Sequence, residues 1–387
     1  MSSAKWTDRK VAELAMIVAE AAKGIRPWEL PRSVLGRLRS VANSPHSEYL
    51  MFTSRDVRRT VKYVADALIP SFHRHAPSWV PAGLRSVFFH QTTIVRWPDQ
   101  AGRYDSFPAE EWFFINGILT NPGMAAWNAN YLAAIFPRPL TIIQNATDGP
   151  IADLLECADE KAFGMNGEPV DVGFPEVYRA LKDGTKDRVV IIAHSQGTLI
   201  SAVMARLLRL VYDRVGELLS AAERADELAA LRRTGVTLDP NDFADVTSAE
   251  LDRLEIYCFA NCASEMRYVD PTAGLPWIES LGNEHDLVAR LGMLAPDRKN
   301  EQIAIDGPLW VHRGAWGHLL SAHYLRAIEL AQGGGSSPGP ATTTAEPYEQ
   351  FGGAAAGAPR LFAYVNAGKP AQGGGDDPGV RAVSPTT

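Results

Sequence analysis

Apolar positions near the amino terminus recur at three-to-four spacing: Val11, Leu14, Ala15, Ile17 and Val18, then Val57, Val61, Val64 and Leu68. That is the helical period, and Pro27, Pro31 and Pro81 punctuate the stretch. Residues 1–85 are therefore expected to form a helical extension or cap. From residue 86 the texture changes to short apolar runs alternating with helical patterns. Candidate strands fall at 86–95, 111–118, 140–145, 188–193, 254–260, 277–281 and 302–306, with helical patterns at 125–136, 151–163, 175–182 and 198–230. This rhythm predicts an α/β domain over 86–331, its mainly parallel central sheet flanked by helices and joined by right-handed crossovers. Val189-Val190-Ile191-Ile192 has no polar alternation, as expected of a strand buried on both faces.

The charged stretch at about 213–250 interrupts the rhythm and reads as a helical insertion. After residue 331, Gly, Pro, Ala, Ser and Thr dominate, and Ala331-Gln332-Gly333-Gly334-Gly335 recurs as Ala371-Gln372-Gly373-Gly374-Gly375. Such a composition buries too little apolar surface to offset its ordering entropy, so 332–387 is expected to be a low-complexity, largely disordered tail. Its one apolar island, Leu361-Phe362-Ala363-Tyr364-Val365, is open to three readings: a strand, a docking motif, or no role.

Composition narrows the class. Hydrophobic residues make up 46% of the 387 and charged residues 21%, which is globular. Cys157, Cys258 and Cys262 are odd in number and form no C-x-x-C pair, which argues against a disulfide framework or a four-ligand zinc site. They read as small buried hydrophobes in a reducing, cytoplasmic setting. The most apolar early stretch, 11–22, is broken by Glu13 and Glu20 and is too short to span a bilayer. Charge is uneven: residues 1–100 hold 15 Lys+Arg against 8 Asp+Glu, and the remainder 23 against 37. The basic residues are dispersed over amphipathic patterns, so no nucleic-acid partner is expected. The basic region is expected to dock on its own acidic body; weak contact with an anionic membrane surface is the alternative.

The sharpest chemical signal is Val189-Val190-Ile191-Ile192-Ala193-His194-Ser195-Gln196-Gly197-Thr198-Leu199. A buried strand runs into a tight turn at Ser195 and a helix follows, the context of a nucleophile elbow. Ala193 and Gly197, two positions either side, let strand and helix pass closely. The bland alternative is that Ser195 only caps the helix. A serine hydroxyl needs a base to take its proton, and that base needs an orienting partner. Downstream histidines are His285, His312, His318 and His323. His318, where a loop gives way to the last amphipathic helix, is the candidate base; His312 is its main rival. Asp286 is the candidate acid, with Glu284 and Asp306 as alternatives and a helix N-cap as its bland role. Separations of 91 and 32 residues leave room for the intervening elements.

A tetrahedral intermediate needs donors for its oxyanion. The backbone amide of Gln196 is one candidate. The second is expected from Asn116-Gly117-Ile118, where an apolar strand ends and Gly117 can turn the Ile118 amide inward. Asp148 reads as a turn residue. With no metal-ligand cluster and no Gly-rich phosphate loop in the sequence, neither metal nor cofactor is expected.

The Asn-Gly loop, the elbow and the late Asp and His resemble the α/β-hydrolase superfamily over about residues 86–330. Tyr257-Cys258-Phe259-Ala260-Asn261 followed by Asn283-Glu284-His285-Asp286-Leu287-Val288 is similar to the strand-then-acid arrangement of class three lipases and to related fungal and bacterial α/β-hydrolase-like proteins. Departures are Ala193 for Gly, Asn116 where many relatives have His, and Thr198 where lipases often have Gly. The resemblance implies an α/β-hydrolase fold, a Ser195–His318–Asp286 triad, and hydrolysis of a small-molecule or lipid ester. A non-catalytic protein that kept the fold is the competing expectation.

Overall fold

The computed structural model describes residues 48, 92–97, 107–117, 120, 122–145, 167–212, 229, 231–236, 246–295, 303–331, 348–351 and 358–370. Apart from Glu48 the expected helical region 1–85 lies outside them, as do the helical pattern at 151–163, Asp148, and most of the 213–250 insertion.

Among the described residues the core is an eight-stranded sheet. In chain order its strands are β1 (Thr93–Trp97), β2 (Glu110–Ile115), β3 (Leu140–Gln144), β4 (Arg188–His194), β5 (Leu254–Phe259), β7 (Trp277–His285), β9 (Leu309–Trp316) and β10 (Glu349–Gln350). In space they run β1-β3-β2-β4-β5-β7-β9-β10. The six inner strands are mutually parallel, and only the edges β1 and β10 are antiparallel. β3, β4 and β5 are buried along their whole length, and the unbroken apolar run Val189–Ile192 within β4 fits a strand covered on both faces.

Helix α1 (Pro122–Ile135) connects β2 to β3, and α2 (Gly167–Lys182) lies between β3 and β4. Because β3 and β4 sit on opposite sides of β2, right-handed crossovers put these two helices on opposite faces. The direction of winding reverses between β2 and β4. In open parallel sheets the crevice at the carboxyl ends of such strands is where sites form. Helix α3 (Gln196–Val211) leaves directly from the end of β4.

Several expectations need correction. The strand expected at 302–306 contributes only β8 (Ala304–Ile305), which pairs with β6 (Glu265–Met266) in a separate two-stranded sheet. β9 was not foreseen, because Arg313-Gly314 interrupts its apolar run. Between the pairs Asn283↔His312 and His285↔Trp316, β9 carries two residues more than β7, with Gly314 at φ 65°. This bulge bends the strand just before His318, a common device beside functional sites.

The tail is not structureless throughout. β10 extends the sheet, and a 3₁₀ segment, Arg360–Ala367, buries Leu361, Phe362 and Tyr364. It docks at the amino ends of the parallel strands. There Arg360 pairs with Glu255 (2.9 Å), the Tyr364 hydroxyl donates to Glu255 (2.5 Å), and Arg138 reaches both Glu110 (2.8 Å) and the Gly368 carbonyl (2.7 Å). Low-complexity flanks conceal this segment from a compositional reading. Among the described residues no helix is long and apolar enough to cross a membrane.

Candidate active site

Ser195 sits between β4 and α3 at φ 58°, ψ −126°. That is the left-handed half of backbone space, which a side-chain-bearing residue occupies only under constraint. The constraint is visible. The Ser195 amide donates to the Phe259 carbonyl (2.9 Å), and its carbonyl accepts from the amide (2.8 Å) and hydroxyl (2.7 Å) of Thr198. The end of β2 crosses the turn so closely that a Cβ at Gly117 would lie 2.5 Å from the Ser195 Cβ, and one at Gly197 would lie 2.4 Å from the Ile115 carbonyl oxygen. Only glycine fits at either point.

The Ser195 hydroxyl makes no capping bond to α3. Its Oγ lies 2.8 Å from Nε2 of His318. Nδ1 of the same ring lies 2.9 Å from Oδ2 and 3.1 Å from Oδ1 of Asp286. His318 follows the β9 bulge, and Asp286 follows β7 directly, so each comes from the carboxyl end of a parallel strand, as Ser195 does.

Asp286 is held on every side. Oδ2 also accepts from the Tyr324 hydroxyl (2.6 Å), and Oδ1 accepts from the Val288 amide (2.8 Å) at the start of a 3₁₀ turn, Ala289–Leu291. The same carboxylate thus closes the turn to Val288 and partners His318. Burial would raise the carboxyl, but the facing His318 charge and the donors from His318, Tyr324 and Val288 outweigh it and hold it below the usual carboxylate range. Tyr324 lies in a π-helix, Leu320–Leu325, which continues as α4 (Arg326–Ala331). Its hydroxyl accepts from the Asn283 amide (3.2 Å), tying β7 to the helix behind His318.

His194 lies beneath the His318 ring, with centroids 4.7 Å apart and planes inclined by 31°. Its Nε2 is 2.8 Å from the His318 carbonyl oxygen. Burial, reinforced by the neighbouring His318, pushes this imidazole down to about 3. It is therefore neutral, and Nε2 carries the proton it donates to the carbonyl.

The rivals are engaged elsewhere. His312 lies on β9 with its ring against Tyr348 (5.3 Å), and His285 faces Trp316 (5.6 Å). The His323 Nδ1 accepts from the Leu319 amide (2.9 Å). Glu284 holds the β9 bulge by accepting from the Gly314 amide (2.7 Å) and Arg313 (3.0 Å), and Asp306 accepts from the Tyr268 amide (2.8 Å).

Of the expected oxyanion donors, Gln196 begins α3 beside Ser195, and Gly117 lies close against the Ser195 side chain, where an added Cβ would clash; Ile118 lies outside the described residues. The loop ends are ordered by a small amide network: Asn145 Nδ2 donates to Gln196 Oε1 (2.6 Å), and the Asn145 amide donates to Asn116 Oδ1 (2.8 Å). Among the described residues, no group of three or more His, Cys, Asp or Glu side chains is placed to hold a metal ion. Tyr324, His194 and Glu48 were not singled out from the sequence. An ordinary helix tyrosine, a histidine inside the elbow string and a lone glutamate carry no spacing signal.

No protein-family model and no curated protein sequence matches the chain. Among solved structures it is similar to a hyperthermophilic esterase from the archaeon Pyrobaculum calidifontis, with 12% identity over 56% of this chain and 71% of that one and a TM-score of 0.30. It is also similar to EstFA in its Fe-lacking apo form, with 12% identity over 72% of this chain and 87% of that one and a TM-score of 0.29. Likenesses this faint leave the functional reading to the geometry of the site.

Proposed function

We propose that the chain is a serine hydrolase that cleaves a carboxylic ester, a lipid ester among the candidates, on an α/β-hydrolase fold. The observation that carries this reading is the unbroken line from Ser195 Oγ through both nitrogens of His318 to the buried Asp286 carboxylate.

In the proposed reaction His318 Nε2 takes the Ser195 proton as Oγ attacks the substrate carbonyl. Asp286 keeps the Nδ1 proton in place and stabilises the imidazolium. The negative charge that builds on the carbonyl oxygen is received by the backbone amides of Gln196 and Ile118. Collapse breaks the ester C–O bond, and His318 returns its proton to the departing alcohol. Water then attacks the acyl-serine with His318 again as base. The acid leaves, and the serine proton is restored. Thioesters fit the same machinery. His194 supports the reading because a neutral ring beneath His318 adds no charge that would oppose the imidazolium.

The test is labelling with a fluorophosphonate, wild type beside Ser195→Ala, followed by a chain-length series of nitrophenyl esters. Wild type is expected to label and to turn over esters, and Ser195→Ala to do neither. A wild-type protein inert to the probe and to every ester would replace this reading with that of a binding protein.

A further inference from the structure

Glu48 is remote from the site in sequence and packed against it in space. Its side chain is buried, and its two oxygens accept from the backbone amides of Ser321 (2.8 Å) and Ala322 (2.7 Å). Those amides belong to the first turn of the helix that follows His318, where amides have no acceptor within the helix. Both residues are themselves buried, so without Glu48 two donors would lose their partners away from water. The Ser321 hydroxyl is fixed as well, donating to Asn128 Oδ1 on α1 (2.7 Å). The turn after His318 is thus clamped from two directions, by the sheet's own helix and by a residue of the first 85.

A carboxylate is seldom buried without a reason, since removing it from water costs several kcal/mol unless donors repay it. Here burial raises Glu48 to about 7 despite the two amides, and among the groups acting on it is His318, whose positive charge favours the ionised form. The other groups that face the His318 ring are Asp286 at Nδ1, the Ser195 hydroxyl at Nε2 and the neutral His194 beneath it, with His323, also pushed down by burial to about 4, on the same helix.

We infer that Glu48 is a positioning residue for His318: it fixes the turn behind the imidazole by accepting from the Ser321 and Ala322 amides. Glu48, from the region before residue 86, is then part of the hydrolase site. The inference rests on the serine hydrolase reading.

The test uses the full chain, comparing wild type, Glu48→Gln and Glu48→Asp in ester hydrolysis across pH, with circular dichroism and thermal melting to establish folding. Glu48→Gln keeps one acceptor and removes the charge. Its kcat is expected to fall ~10- to 100-fold with KM little changed. Glu48→Asp keeps both acceptors with a shorter reach, so kcat falls there too with KM little changed. A folded Glu48→Gln with wild-type kcat, or one whose loss lies in KM, overturns the inference. Should Glu48→Gln fail to fold, a Glu48→Asp protein with wild-type kcat overturns it, and one with reduced kcat and unchanged KM supports it. A wild-type enzyme inert to fluorophosphonate and esters removes the underlying reading, and the inference with it.

Discussion

Gly117 and Ser195 occupy space that only one side chain can fill: a Cβ at 117 would stand 2.5 Å from the serine Cβ and 2.9 Å from the His194 carbonyl oxygen. The end of β2 is therefore a backstop for the strained elbow. Gly117→Ala has to push either the elbow or β2 aside. The expected outcome is a fall in kcat/KM of about 10²-fold, because the Oγ–Nε2 contact of 2.8 Å cannot survive a shift of the turn. Fluorophosphonate labelling rates, with a thermal melt alongside, measure it. A folded Gly117→Ala protein with wild-type labelling would show that the contact does not govern reactivity.

Asp286 and Tyr324 should differ in weight. Asp286→Asn keeps the shape but allows the wrong imidazole tautomer, and kcat is expected to fall about 10⁴-fold. Tyr324→Phe removes one of several donors to the same carboxylate, leaving His318 Nδ1 and the Val288 amide. Its loss of kcat should be nearer ~10-fold, the scale of one buried hydrogen bond. The carboxyl, no longer held as far below its ordinary range, moves up. Steady-state kinetics of both variants give the comparison, and equal losses would show that the tyrosine does more than orient Asp286.

The sequence carried the parts of this site that lie within short strings. His194-Ser195-Gln196-Gly197 is local because the elbow is local: strand, turn and helix are contiguous, and their small residues answer to clashes a few positions away. Asp286 and His318 could be ranked by chain order, since each follows a strand of the same sheet. β9 could not, because its pattern breaks at a bulge whose partner, Glu284, lies on another strand. Glu48 was beyond reach for the same reason, and of the segment Arg360–Ala367 only the apolar island 361–365 showed, with its role left open. Each is held by groups 80 or more residues away, such as Glu279 accepting from the Leu361 amide and Ser321 donating to Glu48.

His194 offers a test by spectroscopy. Its imidazole, pushed down to about 3 by burial, is expected to stay neutral throughout the range in which an ordinary histidine gains its charge. Its ring-proton NMR signals should show no titration of their own across roughly pH 5–9, unlike an ordinary histidine. His194→Phe retains a ring beneath His318 but loses the donor to the His318 carbonyl. A fall in kcat of ~10-fold is expected. An independent titration of His194 near neutrality would contradict the buried, neutral assignment.

The opposite end of the sheet should govern stability instead of rate. Arg138, Arg188, Glu110, Glu255 and Glu279 are buried there, and the segment Arg360–Ala367 supplies partners to several of them. Deleting residues 358–387 takes Arg360 from Glu255 and the Arg360 and Leu361 amides from Glu279, and losing one partner of a buried pair costs about 3–5 kcal/mol. Ester turnover by the fraction that remains folded should be unaffected, since Ser195 lies at the other end of β4. Glu279 adds a pH signature. Burial lifts it from 4.5 to about 7 against the donors from Arg360, Leu361 and Trp310. A carboxyl raised in the folded state contributes stability that is complete below its unfolded value and is lost as pH rises through the folded one. Unfolding by urea should therefore become easier from about pH 5 to pH 8. Glu279→Gln should remove part of that slope and leave the share due to Glu48, which is raised in the same direction. A slope unchanged by Glu279→Gln would show that this carboxyl does not titrate in the window.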